Sequence, residues 1–123
     1  MSALQDAQRT FASCVPLLIT HAMTQGYGVR GAEWFRSREE ALRLSRTFDA
    51  HWHPLGIRNS LHCDRLAIDL VLDIKTDVGV WRLAMGEEYR PLGEWWMNLD
   101  PRLAWGGAWG DPMHFSYPFG GRR

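Results

Sequence analysis

Apolar residues recur every three or four positions between residues 3 and 25: Leu4, Ala7, Phe11, Cys14, Val15, Leu18, Ile19, Ala22 and Met23 form one stripe. That spacing predicts an amphipathic helix with a single buried face. Pro16 lies within it and predicts a kink or a split, because proline has no amide hydrogen and crowds the preceding turn. Gly26-Tyr27-Gly28 ends the pattern, and Val29 to Phe35 reads as a short strand. A second helix is predicted from about Ser37, a suitable N-cap, with Glu39 and Glu40 in the first turn, where the helix dipole favours acids. Ala41, Leu42, Leu44, Ser45 and Phe48 supply its expected inward face, and His51 to Asn59, with Pro54 and Gly56, reads as a loop.

The period then changes to two. Leu66, Ile68, Leu70 and Leu72 alternate with Ala67, Asp69, Val71 and Asp73, the signature of a strand with two unlike faces. Asp77 and Gly79 suit a turn, after which Val80 to Ala84 can return as a strand. Pro91 fits a first helical position, followed at helical spacing by Leu92, Trp95, Trp96 and Leu99. Trp105 to Gly110 reads as a glycine-rich loop, His114 to Tyr117 as a last short strand, and Pro118 to Arg123 as a loose tail. Helices first and hairpin-like strands later predict an α+β fold with a small antiparallel sheet.

A chain of 123 residues is the size of one domain, so residues 1–123 are expected to fold as a unit around one core. Basic and acidic residues balance at 14 each, which removes any electrostatic reason to expect a nucleic-acid or anionic-membrane partner. No apolar run approaches the ~18 residues of a membrane span, and no signal-peptide pattern opens the chain. A protein made in the cytoplasm, without stable membrane association, is therefore expected, and a monomer is the default. Cys14 and Cys63 are far apart and form no CxxC pair, so two reduced thiols are the simpler expectation.

Two stretches carry chemistry. In Ser60-Leu61-His62-Cys63-Asp64-Arg65-Leu66-Ala67-Ile68-Asp69, the alternation turns Asp69 away from the apolar face, and His62 could fold back beside it. Taken alone, Asp69 reads most simply as a solvent-facing strand residue and His62 as a loop histidine. In Trp105-Gly106-Gly107-Ala108-Trp109-Gly110-Asp111-Pro112-Met113-His114-Phe115, the glycines allow close backbone approach and Asp111 precedes His114 by three residues. Two histidines and one carboxylate would suit zinc and leave one position for water. The net positive charge of such a site makes hydroxide available near neutral pH, and a neighbouring carboxylate can move its proton.

The order S-x-H-x(6)-D, then WGG-x-W, then D-x-x-H-F resembles the metal site of the D-alanyl-D-alanine carboxypeptidase and L-alanyl-D-glutamate peptidase family. Many phage endolysins belong to it, and hedgehog and lysostaphin-type metallopeptidases are related. The similarity runs from about Val29 to Tyr117 and includes Arg36-Ser37, Gly56 to Ser60, Leu66-Ala67-Ile68-Asp69-Leu70 and Tyr89-Arg90-Pro91-Leu92-Gly93-Glu94. The resemblance implies a hedgehog/D-Ala-D-Ala peptidase-like fold and one zinc ion held by His62, Asp69 and His114. It implies Asp111 as general acid/base and Arg36 as the arginine that steadies substrate or oxyanion. Ser60 would be a supporting or substrate-contact residue, and Trp109 could line a substrate groove. The implied activity is hydrolysis of peptide bonds in peptidoglycan stem peptides, with an endolysin-like L-alanyl-D-glutamate endopeptidase expected first. A D-alanyl-D-alanine carboxypeptidase and a non-catalytic zinc-containing wall-binding module are the alternatives. Action on the cell wall then requires phage-type release or another delivery route.

The chain departs from that pattern at Ser116, where many relatives carry glutamate, in the arginine and leucine content of the second helix, and in the stretch Asp49 to Pro54. His51 and His53 in that stretch read as solvent-exposed, and His21 as a helix-terminal residue. Cys63 is expected to point away from the ligands, Trp95 and Trp96 to pack the third helix, and Glu94 to cap, form an ion pair or support a ligand histidine.

Overall fold

A computed structural model describes residues 2–123. Helix α1, Ala3–Thr24, starts on a capping box: the Ser2 hydroxyl accepts from the Gln5 amide, and the Gln5 side chain accepts from the Ser2 amide. Pro16 sits inside α1 without ending it. The proline is on the exposed face, where the carbonyl it leaves unpaired can meet water. Strand β1, Gly28–Glu33, begins and ends slightly earlier than the apolar pattern predicts. Helix α2, Arg38–Ser45, is capped by the Ser37 hydroxyl, which accepts from the Glu40 amide.

Strand β2, Ala67–Lys75, is the spine of an antiparallel sheet. Strand β1 pairs along one edge of it. The opposite edge is shared by β5, His114–Ser116, which pairs with residues 67–69, and β3, Trp81–Leu83, which pairs with residues 73–75. Strand β4, Ala104–Trp105, extends the sheet beyond β5. Helix α3, Arg90–Leu99, has Pro91 in its first turn, as its fixed φ suits. The result is an α+β architecture with one buried cluster joining Phe11, Leu18, Leu70, Leu72, Leu92, Trp96 and Phe115. Trp96 meets Phe11 and Phe115 edge-on, and its indole N–H donates to the Ala104 carbonyl at 3.0 Å. No helix among the described residues is long and apolar enough to cross a membrane.

Two expectations are corrected. Phe48 does not face inward; it lies beyond the end of α2, half exposed, in an isolated bridge with Pro54. Residues 118–123 are not loose, because the Arg122 guanidinium donates to the Asp64 carboxylate at 2.6 Å and both side chains are largely buried.

Between β5 and β3 the edge of β2 has a notch, and Tyr89 closes it. Its buried hydroxyl donates to the Leu70 carbonyl at 2.9 Å and accepts from the Leu72 amide at 3.1 Å, replacing the rungs that neither strand supplies. Tyr89→Phe keeps the ring but strands both backbone groups in the core. It is expected to lower unfolding free energy by about 1–3 kcal/mol, measured by urea denaturation at unchanged m-value.

Candidate metal centre

The site is assembled on a turn and two strands. Residues Leu61–Asp64 form one turn of 3-10 helix, capped by the buried Ser60 hydroxyl, which accepts from the His62 amide at 3.1 Å. The segment after β1 clamps that turn from the side: the Arg36 amide donates to the His62 carbonyl at 3.1 Å. The Trp34 carbonyl lies 3.0 Å from His62 Nδ1. A carbonyl only accepts, so its partner assigns the ring proton to Nδ1 and leaves the Nε2 lone pair of the neutral ring directed at Asp69.

Asp69 on β2 and His114 on β5 stand directly opposite each other in the antiparallel register, which puts both side chains on the same face of the sheet. His62 Nε2 lies 3.4 Å from Asp69 Oδ2, and His114 Nδ1 lies 3.4 Å from Asp69 Oδ1. One donor atom from each of the three residues falls within 4.8 Å of the other two. Charge-assisted hydrogen bonds would be nearer 2.8 Å. Tetrahedral zinc with bonds of about 2.0–2.1 Å holds its ligand atoms about 3.3 Å apart. Asp69 Oδ1 and His114 Nε2 are also buried without a hydrogen-bond partner. A lone pair and a carboxylate that face each other across 3.4 Å, beside an orphaned carboxylate oxygen, fit a cation between them. Burial opposes ionisation of Asp69, but contact with His114, and with His62 when that ring carries a proton on both nitrogens, outweighs it and holds the carboxyl well below the usual range.

The other expected residues surround this cluster. Asp111 is half exposed, with Oδ2 3.9 Å from His114 Nδ1. Burial and the charge of Asp69 push its pKa up, while His114, His62 and Arg36 pull it partly back. Gly106 makes this arrangement possible, since a Cβ there would come within 2.2 Å of the Asp111 carbonyl oxygen and 2.9 Å of the His114 Cβ. Arg36 is nearly buried, paired with Glu33, and lines the same cleft of about 540 Å³. Ser60 and Trp109 line it too, with Pro54, Leu55 and Ile57 forming an apolar wall. Trp109 meets the His114 ring edge-on, with centroids 6.0 Å apart.

Several aromatic and sulfur-bearing residues are placed elsewhere. Trp105 is buried, its indole N–H donating to the Pro112 carbonyl at 2.7 Å, so it braces the loop. Cys63 directs its thiol to the Ser37 carbonyl. Glu94 is exposed and faces Arg90. His51 and His53 stay on the surface, where their amides donate to Asp49. Ser116 is fully buried between Ala67 and Ala104. His21 stacks on Trp95, with centroids 4.1 Å apart, in a separate concavity of about 640 Å³ at the end of α1. That space is larger than the cleft, but no cluster of metal-ligating groups lines it among the described residues. The Trp34 carbonyl, Glu33, Met113 and Arg123 also belong to the site's surroundings. No local pattern marks them, because a backbone carbonyl is invisible to residue type and the others arrive from distant segments.

A family model described as D-alanyl-D-alanine carboxypeptidase matches residues 56–117, half of the chain. That span holds Ser60, His62, Asp69, Trp109, Asp111 and His114, and leaves Arg36 and Arg123 outside. No curated protein matches the chain.

Asp69→Ala removes the anionic donor and is expected to abolish high-affinity zinc binding in isothermal titration calorimetry. Gly106→Ala keeps every donor but forces the Asp111–His114 segment outward. Overpacking of this kind costs about 1–3 kcal/mol, so a lower Tm and weaker zinc binding should appear together.

Proposed function

Because the chain belongs to the D-alanyl-D-alanine carboxypeptidase family, we propose that it is a zinc-dependent peptidase hydrolysing peptide bonds in peptidoglycan stem peptides. The observation that carries this reading is the convergence of His62, Asp69 and His114 on one point, with the carboxylate of Asp111 beside them. His62, Asp69 and His114 are the residues that would hold zinc. Zinc held by them supplies a Lewis acid for the scissile carbonyl and an acidified water.

The protein's own groups do the rest. Asp111 is outside the ligand cluster and half exposed, so its carboxylate can take a proton from the attacking water and return it to the leaving amine. Its raised pKa helps the first transfer, since the anion of a weaker acid is the better proton acceptor, and it keeps the acid form needed for the second populated nearer neutrality. Arg36 is held by Glu33 at the cleft wall, where a fixed guanidinium stabilises negative charge developing on the carbonyl oxygen. Ser60 acts through its cap, fixing the turn that aims His62. Trp109 and the wall of Pro54, Leu55 and Ile57 would hold the substrate backbone.

Within this chemistry we favour cleavage between L-alanine and D-glutamate by a monomer acting at the wall in the manner of a phage lysis enzyme. The endolysin-like order of S-x-H-x(6)-D, WGG-x-W and D-x-x-H-F supports that choice. Removal of terminal D-alanine is the second reading, favoured by the description of the matching family. Mass spectrometry of purified peptidoglycan after digestion separates the two: new peptides beginning at D-glutamate mark the endopeptidase, and loss of D-alanine alone marks the carboxypeptidase. Asp111→Asn should bind zinc normally yet lose about 10²–10⁴-fold in rate. A zinc-loaded protein that cleaves neither bond would refute the peptidase reading.

A further inference from the structure

Residues 118–123 form a built structure with an unexplained cation at its end. Phe119 and Arg122 exchange backbone hydrogen bonds of 3.0 and 3.1 Å around Gly120 and Gly121. Both glycines have positive φ, 60° and 75°, the requirement of a tight two-residue hairpin turn. Arg122 then locks the turn onto the body: its guanidinium reaches Asp64, in the same 3-10 turn that carries His62, and Asn59 at 3.4 Å. The next residue, Arg123, is thereby laid over Trp109, its guanidinium carbon 4.2 Å from the ring centroid, where it lines the cleft. Trp109 in turn touches His114, so the cation is one indole away from the metal cluster.

Its electrostatic situation differs from that of Arg36. Arg36 already faces Glu33. Among the described residues no carboxylate side chain pairs with Arg123, and its guanidinium lies on the face of Trp109. Stacking on an indole restrains a guanidinium while leaving its N–H edge available, and that planar edge matches a carboxylate with two parallel hydrogen bonds. We propose that Arg123, restrained on Trp109, is a specificity-determining residue that docks a free carboxylate of the substrate close to the scissile bond. The proposal rests on the peptidase reading, and stem peptides offer such groups on the D-glutamyl residue and at the chain end. The cleft would then select acidic peptides and discriminate against the same peptides carrying amides.

The test uses the full chain, zinc-loaded, with Asp111→Asn to prevent turnover, and three synthetic peptides. Each spans L-alanine to terminal D-alanine; one has both carboxylates free, one is amidated at D-glutamate, and one at the terminus. Isothermal titration calorimetry is expected to show binding weakened roughly 10–100-fold by one of the two amidations, which identifies the docked group. Adding Arg123→Gln should abolish that discrimination without changing zinc stoichiometry or Tm, and Arg123→Lys should restore part of it. Arg122→Ala, which releases the hairpin while Asp64 keeps Arg38, should act in the same direction as Arg123→Gln. With Asp111 present, Arg123→Gln should raise KM far more than it lowers kcat. Equal binding of all three peptides, absence of binding, or unchanged discrimination in Arg123→Gln overturns the proposal. If the peptides bind and discriminate but none is cleaved by the protein with Asp111 intact, the peptidase reading fails and the carboxylate dock stands.

Discussion

The antiparallel pairing of β2 with β5 is the constraint on which the site depends. It sets Asp69 directly across from His114, and a slip of one residue would turn one of them into the hydrophobic core. That register is secured by packing on the core face and by pairing at the far edge. On the core side Ile68, Leu70 and Phe115 are buried against the helices, and Trp105 on β4 holds the far edge of β5 through its pairing with Phe115. Two imidazoles and a carboxylate are thus brought together by packing that is itself apolar. A cation between them would satisfy the Asp69 oxygen and the His62 lone pair together.

The two carboxylates beside that cluster diverge for reasons of environment. Asp69 is mostly buried between two imidazoles and is held as an anion, whereas Asp111, half open to the cleft, feels burial and the charge of Asp69 and is pushed towards protonation. A pair of acids driven apart in this way can divide the work of holding a cation and moving a proton. The separation comes from backbone geometry: the tight approach of Gly106 to Asp111 returns the loop to the sheet with His114 directed inward and Asp111 left at the rim.

Around this core, the cleft is bounded by segments outside the sheet. Pro54, Leu55 and Ile57 come from the long loop after α2, Arg36 from the connection between β1 and α2, and Arg123 from the hairpin tied to Asp64. Their contributions differ in kind, apolar from the first and cationic from the other two. The proposed function thus draws its metal ligands from the sheet and the turn beside it, and its cleft walls from the connecting segments, as is common where a scaffold positions variable loops.

Periodicity alone specified a good deal of this protein. The stripe of α1, the alternation of β2, the cap at Ser37 and the first-turn proline at Pro91 are local consequences of residue identity and spacing, and the elements form where these put them. The order of Ser60, His62, Asp69, Asp111 and His114 marked a candidate metal set and its neighbouring acid through its resemblance to a known family, since the residue types alone read more simply as surface groups. Tertiary structure decided what local spacing does not encode. The His62 tautomer depends on a carbonyl 28 residues away, the closure of the β2 edge on a hydroxyl 17 to 19 residues away, and the placement of Arg123 on an ion pair that spans 58 residues. Phe48, apolar and correctly spaced, is nevertheless at the surface because α2 ends before it. Spacing fixes which faces are apolar, since that follows from bond geometry within one segment; which groups meet across those faces follows only when distant segments have been brought into register.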